Sequence, residues 1–221
     1  MKMELFARTQ KQLPVFKYSF GTNGPRALII GGVHGDEPEG VIAAQGVLAA
    51  LNESFNYTLQ VTVIPEFNPE GILNKIRMNS AGVDLNRNLP TKDWSPVATK
   101  ERYFPGKSAC SEPENKALVQ LLDAVKYDLI ISLHSWNPMI NVNGPSCELE
   151  AEVIKKHTGY SIEPDIGYPT PGSLGTYAGK ERNISTITYE IQRDIDFHEI
   201  HKIHVPGLLD CLKQTEKRKR S

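Results

Sequence analysis

Four short segments of the chain have the pattern of β-strands. Residues 27–30 (ALII) and 129–133 (LIISL) are almost continuous apolar runs, and residues 185–191 are rich in β-branched side chains. Residues 59–64 alternate apolar and polar side chains and are followed at once by Pro65. Continuous apolar runs of this length are typical of strands that are buried on both faces.

Three stretches between and after these strands have helical composition. The first covers residues 41–51, with Pro38 near its start, and the second begins at residues 111–114 (SEPE) and runs to residue 126. Ser111 is the predicted capping hydroxyl of this second helix, since acidic residues and an early proline follow it. A closing helix is predicted over residues 198–212, with Pro206 interrupting it.

Strands that alternate with helices predict an α/β fold with a largely parallel or mixed central sheet under helical layers. The 221 residues contain no repeat and no low-complexity segment, so one domain is predicted over residues 1–221. Residues 67–106 have little regular pattern and many Asn, Pro, Gly and Arg residues. A loop that long inside a compact domain is usually functional.

The composition excludes several classes of partner. With 39% hydrophobic and 23% charged residues, it is that of an ordinary globular protein, and the formal net charge of −1 favours neither nucleic acid nor an anionic membrane. No segment approaches the roughly 18 apolar residues of a membrane span. The N-terminus lacks the apolar core of a secretion signal, so a cytoplasmic location is expected. Residues 217–221 are predicted to form a solvated basic tail.

The three cysteines are an odd number and have no C-x-x-C spacing. They therefore predict neither a disulfide framework nor a cysteine zinc site.

His34, Glu37, His134 and Glu190 fall at or near the C-terminal ends of predicted buried strands. On its own, the H-x-x-E spacing of His34 and Glu37 is more often a surface loop than a metal site. In α/β sheets, however, that strand edge is where ligands bind, and imidazole nitrogen with carboxylate oxygen suits zinc. Two histidines and one carboxylate leave a fourth tetrahedral position for water. The pattern therefore predicts a catalytic site with one Zn²⁺ per chain.

Glu190 needs a reason to lie in a buried strand, because desolvation of its carboxylate is costly unless it meets a cation or holds a proton. It either pairs with an Arg or Lys at the sheet edge or stands beside the water of the metal site. In the second case it is the general base that takes the proton from that water and passes it to the leaving amine.

Arg77 and the segment 82–88 (GVDLNRN) place two arginines and two asparagines in the irregular loop. Guanidinium groups bind carboxylates bidentately, and an asparagine amide adds a directed donor, so the cluster suits an anionic ligand. Taken alone, these residues are better explained as asparagines that form hydrogen bonds within local turns and as arginines on the solvent-exposed surface.

Taken together, the segments resemble the motifs of the zinc carboxypeptidases. Five of them match in order and spacing between Gly31 and Glu190, namely residues 34–37, 68–71 (NPEG), 82–88, 133–135 (LHS) and Glu190 itself. The resemblance implies that family's fold, a mixed twisted sheet flanked by helices. It also implies the activity of a zinc metallopeptidase that acts as a carboxypeptidase or an amidase.

The resemblance also implies a metal centre and its base. His34, Glu37 and His134 match the zinc ligands, and Glu190 matches the general base. Asp84 matches the carboxylate that orients a ligand histidine, here His34, which agrees with the usual partners of metal-bound histidines.

The substrate-binding residues of the family are matched as well. Arg77 matches the arginine that polarises the scissile carbonyl and stabilises the oxyanion, and Asn86 and Arg87 match the pair that grips the free carboxylate of the substrate. Tyr168 falls where the family's mobile capping tyrosine lies, although the flanking sequence differs.

Within the family, the sequence most resembles the bacterial murein tripeptide amidases, which cut the γ-D-glutamyl–meso-diaminopimelate bond of cell-wall peptides. The similar segments are residues 77–90, 111–114 and 167–173 (GYPTPGS), whereas Trp136 and residues 192–194 (QRD) depart from the resemblance. The expected substrate is therefore a small peptide with a free carboxylate next to the scissile amide.

Two other functions stay open. N-acyl amino acid hydrolases such as aspartoacylase or succinylglutamate desuccinylase share the His-Gly-x-Glu and Asp-Leu-Asn-Arg features, although residues 82–90 and 167–173 favour the peptide amidase. A non-catalytic peptide-binding module on a peptidase scaffold usually lacks a ligand or the base, and here every such position is filled. The oligomeric state is open.

His198, His201 and His204 recur every three residues before Pro206. On a helix the outer two diverge, so three imidazoles do not easily meet one metal ion. A surface helix is therefore favoured over a second metal site.

Overall fold

The computed structural model describes residues 1–218 and contains one eight-stranded mixed sheet. The strands are β1 (Lys2–Arg8), β2 (Pro14–Phe20), β3 (Arg26–Ile30), β4 (Gln60–Ile64), β5 (Leu129–Trp136), β6 (Met139–Asn143), β7 (Ile162–Glu163) and β8 (Thr186–Gln192). Their order across the sheet is β1-β2-β4-β3-β5-β8-β6-β7. The four predicted strands are confirmed as β3, β4, β5 and β8, and they are neighbours in the middle of the sheet.

The four central strands are parallel, with β3 between β4 and β5, and β8 next to β5. Their apolar runs are buried because helices cover both faces, as expected for a parallel sheet. β5 is three residues longer than its apolar run predicts, since pairing with β8 continues as far as Trp136 and Gln192. His134 therefore lies within the strand rather than just beyond it.

The outer strands make the sheet mixed. β2 pairs antiparallel with β4 on one side, and β6 pairs antiparallel with β8 on the other. The mixed sheet that the sequence predicts is thus confirmed, although the strands that make it mixed were not predicted. β1 and β2 are half exposed and have no continuous apolar run, and β6 carries two asparagines, Asn141 and Asn143, among its five residues.

The α-helices are α1 (Pro38–Glu53), α2 (Pro69–Asn74), α3 (Pro113–Ala124), α4 (Glu148–Thr158), α5 (Phe197–Glu199) and α6 (Val205–Thr215). Helices α1, α4 and α6 pack on one face of the sheet in a core that contains Ile29 and Ile131. Helix α3 packs on the other face with Leu28 and Ile130. Successive residues of β3 thus supply opposite cores, as the two-residue period of a strand requires.

Two details of the predicted helices were wrong. Glu112, not Ser111, is the residue that precedes α3, and no side chain caps this helix end. The Ser111 hydroxyl donates instead to Glu112 Oε1 at 2.7 Å. Pro206 does not divide the closing helix, which continues as α5, a π-helical segment (Ile200–His204) and α6. The wider π turn precedes the proline, whose ring and missing N–H disfavour regular α-helix at that point.

The C-terminal basic segment is partly anchored. Arg218 donates to Glu150 Oε1 at 2.7 Å and to the carbonyl oxygens of Asp128 and Ser146 at 2.7 and 2.6 Å. A solvated tail is therefore wrong for Arg218, whereas residues 219–221 of the predicted tail lie outside the described residues. No helix in residues 1–218 has the length and hydropathy needed to cross a membrane.

The closing helix is only partly a surface helix. His198 and His201 are exposed as predicted, but His204 is buried, and its ring is hydrogen-bonded to the Tyr189 hydroxyl. Burial lowers the pKa of His204 to about 4. This histidine is therefore a neutral core residue, in contrast to the prediction.

Candidate active site

Three neighbouring strands deliver the predicted metal ligands and Glu190 to one edge of the sheet. His34 and Glu37 lie in the turn between β3 and α1, His134 lies in β5, and Glu190 lies in β8. His134 and Glu190 are register partners across the β5–β8 ladder. All four side chains are at most 6% exposed.

The turn that carries His34 is held by two other segments of the loop region. Asn68 accepts from the amide of Gly71 at 2.9 Å and donates to the carbonyl oxygens of Val33 and Arg77, both at 3.4 Å. Gly35 lies so close to this turn that a Cβ there would be 1.9 Å from the carbonyl carbon of Gly71. Segment 68–71 thus supports the ligand turn, which explains a glycine directly after His34.

The three predicted ligands converge on one point. His34 Nδ1 lies 2.9 Å from Glu37 Oε1, and His134 Nδ1 lies 2.9 Å from Glu37 Oε2 and 3.1 Å from His34 Nδ1. Within residues 1–218 this is the one group of His, Cys, Asp or Glu side chains whose ligand atoms lie close enough together to hold a metal ion. The second metal site considered for the closing helix therefore has no such group.

The remaining ring nitrogen of each histidine has its own partner. His34 Nε2 lies 3.0 Å from Asp84 Oδ1, and His134 Nε2 lies 2.9 Å from Ser132 Oγ. Outer partners of this kind fix the ring orientation of metal-ligating histidines. The donor set also fits zinc in size, since ligands of a tetrahedral zinc site lie roughly 3.3 Å apart.

The site is strongly polarised. Burial opposes the charged form of His34, and Arg77 does so as well, but the carboxylates of Glu37 and Asp84 outweigh them and raise the pKa of His34. Burial would raise the pKa of Glu37, yet the two histidines hold it well below its usual range. Buried Asp84 likewise has a lowered pKa, because it faces His34 and Arg77. The carboxylates are therefore ionised, the form that binds a cation.

Glu190 behaves differently from these two carboxylates. Burial, assisted by repulsion from Glu37, raises the pKa of Glu190 to about 7, although His134, Arg77 and Arg193 act in the opposite direction. A carboxylate with a pKa near neutrality can both take up and release a proton.

Arg77 connects the ligands to the substrate space. Its Nε donates to Asp84 Oδ2 at 2.8 Å, and its Nη1 donates to Glu37 Oε1 at 3.2 Å. Among the described residues these bonds do not use Nη2. The guanidinium group is thus held by two buried carboxylates and keeps donors for a ligand.

Asn86 and Arg87 lie side by side on a short 3₁₀ turn (Leu85–Arg87) that Asp84 caps through the amide of Asn86. Asn86 Oδ1 accepts from the amide of Leu174 at 2.9 Å, which leaves its NH₂ group as a donor. Arg87 Nη1 donates to the carbonyl oxygen of Asn86 at 2.7 Å.

Asn88, by contrast, is not part of an anion site. It is fully buried. Its side-chain NH₂ group donates to the carbonyl oxygens of Pro105 and Ser108, and its Oδ1 accepts from the backbone amide of Glu112. It anchors the end of the 3₁₀ turn, which a sequence motif alone does not distinguish from ligand binding.

A cavity of about 340 Å³ opens beside the three converging ligands. The predicted residues that line it are His34, Glu37, Arg77, Asn86, Arg87, His134, Tyr168 and Glu190. Tyr168 packs edge-on against Trp136, with ring centroids 5.7 Å apart, and both side chains are more than a third exposed. Asp84 is buried behind the cavity against His34 and Arg77.

Several lining residues were not predicted from the sequence. Tyr103 has three guanidinium groups near its ring, those of Arg77, Arg87 and Arg102, at 5.2, 5.4 and 5.6 Å from the centroid. Arg193 reaches the cavity from the turn after β8. The only sequence signal for Arg193 was that segment 192–194 departs from the murein tripeptide amidases.

The sequence is similar to those of known proteins. The family model described as "Succinylglutamate desuccinylase/Aspartoacylase catalytic domain" matches residues 23–136. Murein peptide amidase A of Escherichia coli (strain K12) is 30% identical over 174 residues, which cover 74% of this chain and 69% of the relative.

Solved structures share the whole fold. The crystal structure of the murein-tripeptide amidase from Escherichia coli O157 has a TM-score of 0.79 at 24% identity, and the match covers 100% of this chain and 94% of that chain. Carboxypeptidase A from Helicoverpa armigera has a TM-score of 0.82 at 17% identity, covering 97% of this chain and 68% of that chain.

The chain is a hydrolase with the fold of the zinc carboxypeptidases, which confirms the resemblance seen in the sequence. The chain belongs to the family of murein peptide amidase A, and residues 23–136, which carry four of the five matched segments, belong to the succinylglutamate desuccinylase/aspartoacylase catalytic domain family.

Proposed function

We propose that the chain is a zinc-dependent amidase that hydrolyses an amide bond next to a free carboxylate, with the γ-D-glutamyl–meso-diaminopimelate bond of murein peptides as its substrate. The observation that carries the proposal is the arrangement in one cavity of the His34–Glu37–His134 group, Glu190 and the Asn86–Arg87 pair. Such a cavity can hold a carboxylate, an amide and a water at the same time.

Zn²⁺ bound by His34, Glu37 and His134 would polarise the scissile carbonyl and acidify the attacking water. Glu190 takes the proton of that water and returns it to the nitrogen of the leaving amine, a role that suits a carboxylate with a pKa near 7. Asp84 and Ser132 hold the two ligand imidazoles in the required orientation.

Arg77 donates to the carbonyl oxygen as negative charge develops on it. Its guanidinium group is already oriented by Glu37 and Asp84, so little reorganisation accompanies the reaction. Asn86 and Arg87 bind the free carboxylate of the leaving residue and thereby fix the scissile amide against Glu190. Tyr168, at the partly exposed rim, covers the bound substrate.

The side chain of the leaving residue has space in an adjoining cavity of about 370 Å³, which shares Ile166, Tyr168 and Thr170 with the first. The buried asparagines Asn141 and Asn143 line it, with Asp165 and Lys180. These polar and oppositely charged groups suit a side chain that ends in both an ammonium and a carboxylate, as diaminopimelate does.

A cleavage assay tests the proposal. The zinc-loaded protein is incubated with L-Ala-γ-D-Glu-meso-diaminopimelate, and the products are followed by mass spectrometry with and without a chelator. We expect release of free diaminopimelate that the chelator abolishes. Intact tripeptide in the presence of stoichiometric zinc would exclude this substrate, and cleavage that persists without metal would exclude the zinc mechanism.

A second candidate function is hydrolysis of an N-acyl amino acid. It is favoured by the family model matched over residues 23–136, although that match does not include Glu190 or Tyr168. The same assay with N-acetylaspartate and N-succinylglutamate separates the two functions. The amidase proposal requires that the tripeptide has the higher kcat/KM. A cytoplasmic location stays a prediction from the sequence.

A further inference from the structure

The active-site cavity contains more positive charge than the proposed reaction uses. Four arginines line it, and two of them, Arg77 and Arg87, have tasks at the scissile carbonyl and the leaving carboxylate. The other two, Arg102 and Arg193, come from different parts of the chain, the short 3₁₀ turn Glu101–Tyr103 and the turn after β8. Their side chains are 50% and 36% exposed.

Asp36 lies between these two arginines. Arg102 Nη2 is 3.4 Å from Asp36 Oδ2, and Arg193 Nη1 is 3.9 Å from the same oxygen. Both separations are long for ion pairs, and Asp36 Oδ1 has no hydrogen-bond partner in the described part of the chain. One loosely held carboxylate therefore faces two guanidinium groups, and the group of three has a net positive charge.

Arg193 is held in place by backbone groups rather than by a carboxylate alone. Its Nη1 donates to the carbonyl oxygen of Asp36 at 2.8 Å, and its Nη2 donates to the carbonyl oxygen of Ser135 at 3.2 Å. Glu39, itself buried, accepts from the amide of Asp194 at 2.7 Å and so fixes the turn. These bonds leave Nε and one hydrogen on each terminal nitrogen of Arg193, a preorganised fork for an anion.

The position of this group relative to the metal ligands decides which part of the substrate it meets. Glu37 Oε1 lies between Arg77 Nη1, at 3.2 Å, and Arg193 Nη2, at 3.6 Å. The leaving carboxylate is assigned to Asn86 and Arg87. A substrate whose leaving carboxylate is bound there and whose scissile carbonyl lies beside Arg77 would extend its acyl part past Glu37 towards Arg193.

We propose that Arg102 and Arg193, together with Asp36, form an acyl-side subsite for a second carboxylate of the substrate. The inference rests on the proposed function and adds the group that the site recognises. That group is an acyl residue linked to the leaving amine through its side-chain carboxyl. In a γ-linked glutamyl residue, the free α-carboxylate and the neighbouring N–H lie a few bonds from the scissile carbonyl. The arginines bind the carboxylate, and Asp36 accepts the N–H. An α-linked glutamyl residue has its carboxylate the same number of bonds from the scissile carbonyl, but its N–H is on the carbon next to that carbonyl. Only the γ-linked residue presents the carboxylate and the N–H on one carbon.

The test compares two substrates that differ in one group. These are L-Ala-γ-D-Glu-meso-diaminopimelate and the same peptide with the α-carboxylate of D-Glu converted to a carboxamide. For the zinc-loaded wild type we expect kcat/KM to be about tenfold higher for the carboxylate form, the size of effect typical of a charge-assisted hydrogen bond at a partly exposed site. In Arg102→Gln and Arg193→Gln the ratio of the two kcat/KM values falls towards one. Arg8→Gln, which removes an exposed arginine on β1, keeps the wild-type ratio.

The outcomes separate the subsite from the proposed function. Equal cleavage of both peptides by the wild type, or a ratio that survives in Arg102→Gln and Arg193→Gln, overturns the subsite and leaves the amidase function standing. Cleavage of neither peptide overturns the proposed function and the subsite with it. Arg193 also bonds the turn after β8 to the segments that carry the predicted ligands, so Arg193→Gln can destabilise the fold. In that case the kcat/KM ratio of Arg102→Gln alone tests the subsite. Arg102 has only one polar side-chain contact, with Asp36, among the described residues.

Discussion

His134 and Glu190 are opposite each other on the adjacent parallel strands β5 and β8. Side chains alternate between the faces of a strand, so a slip of one residue would turn Glu190 away from the site. The flanking residues Tyr189 and Ile191 are fully buried in the core on the opposite face, which fixes the register. The distance between a proposed ligand and the proposed base is thus set by hydrophobic packing.

Glu190→Gln should lower kcat by a factor of about 10³ or more, because an amide has nearly the same shape but cannot accept the proton of the attacking water. The measurement is steady-state cleavage of the tripeptide, with zinc content determined on the same samples. Glu53→Gln, an exposed change at the end of α1, is the control. Near-normal turnover of Glu190→Gln with zinc still bound would remove the base role.

Asp84→Asn should weaken zinc binding by about 10- to 100-fold, because the variant loses the charge that orients His34 and Arg77. Competition with a chromophoric chelator measures the affinity. Asp123→Asn removes a surface carboxylate that pairs with Arg182 and serves as the control. If Asp84→Asn binds zinc within twofold of the wild type, Asp84 does not support the metal centre.

The residues that sequence reasoning placed correctly share a simple signal. His34, His134 and Glu190 are polar groups at or near the ends of apolar or β-branched segments that are typical of central strands, so their meeting at one sheet edge follows from parallel topology. The β1–β2 hairpin lacked this signal, because a half-exposed strand at the sheet edge needs no apolar run.

Arg102, Tyr103 and Arg193 could not be predicted for a different reason. They reach the cavity from irregular turns whose course depends on contacts with distant segments, such as the bond between Glu39 and the amide of Asp194. Arg218 is similar, since its partner Glu150 lies 68 residues away in sequence. A local pattern cannot distinguish such a residue from an exposed charge.

Gly172→Ala should weaken substrate binding through Arg87. Gly172 has a φ of +71°, and a Cβ there would lie 2.0 Å from the carbonyl oxygen of Arg87. The backbone of Arg87 must therefore move, and we expect KM to rise about tenfold with a smaller change in kcat. Gly159→Ala is a matched control, because Gly159 has a φ of +72° and open space around it. Gly159→Ala should lower the free energy of unfolding by only about 1 kcal/mol and leave KM unchanged. Equal KM values in the two variants would contradict a role of Gly172 in placing Arg87.

Glu114 should make the folded state less stable as the pH rises towards neutrality. Both of its side-chain oxygens are buried without a hydrogen-bond partner in the part of the chain that the structure describes. Burial, together with the charges of Glu112 and Glu70, raises the pKa of Glu114 from its usual 4.5 to about 7. Between these two values the folded protein keeps a proton that the unfolded chain has released. The free energy of unfolding therefore falls with rising pH across this window, by up to about 3 kcal/mol.

Glu114→Gln cannot ionise, so it should lose this contribution to the pH dependence. Urea unfolding of the metal-free protein at about pH 5.5 and about pH 8 measures it, since the upper part of the window lies between the two conditions. The variant should show a smaller decrease in the free energy of unfolding than the wild type, and it should be the more stable of the two at the higher pH. Glu53→Gln again serves as the exposed control and should follow the wild type. An unchanged pH dependence in Glu114→Gln would mean that the buried carboxyl group does not titrate in this range.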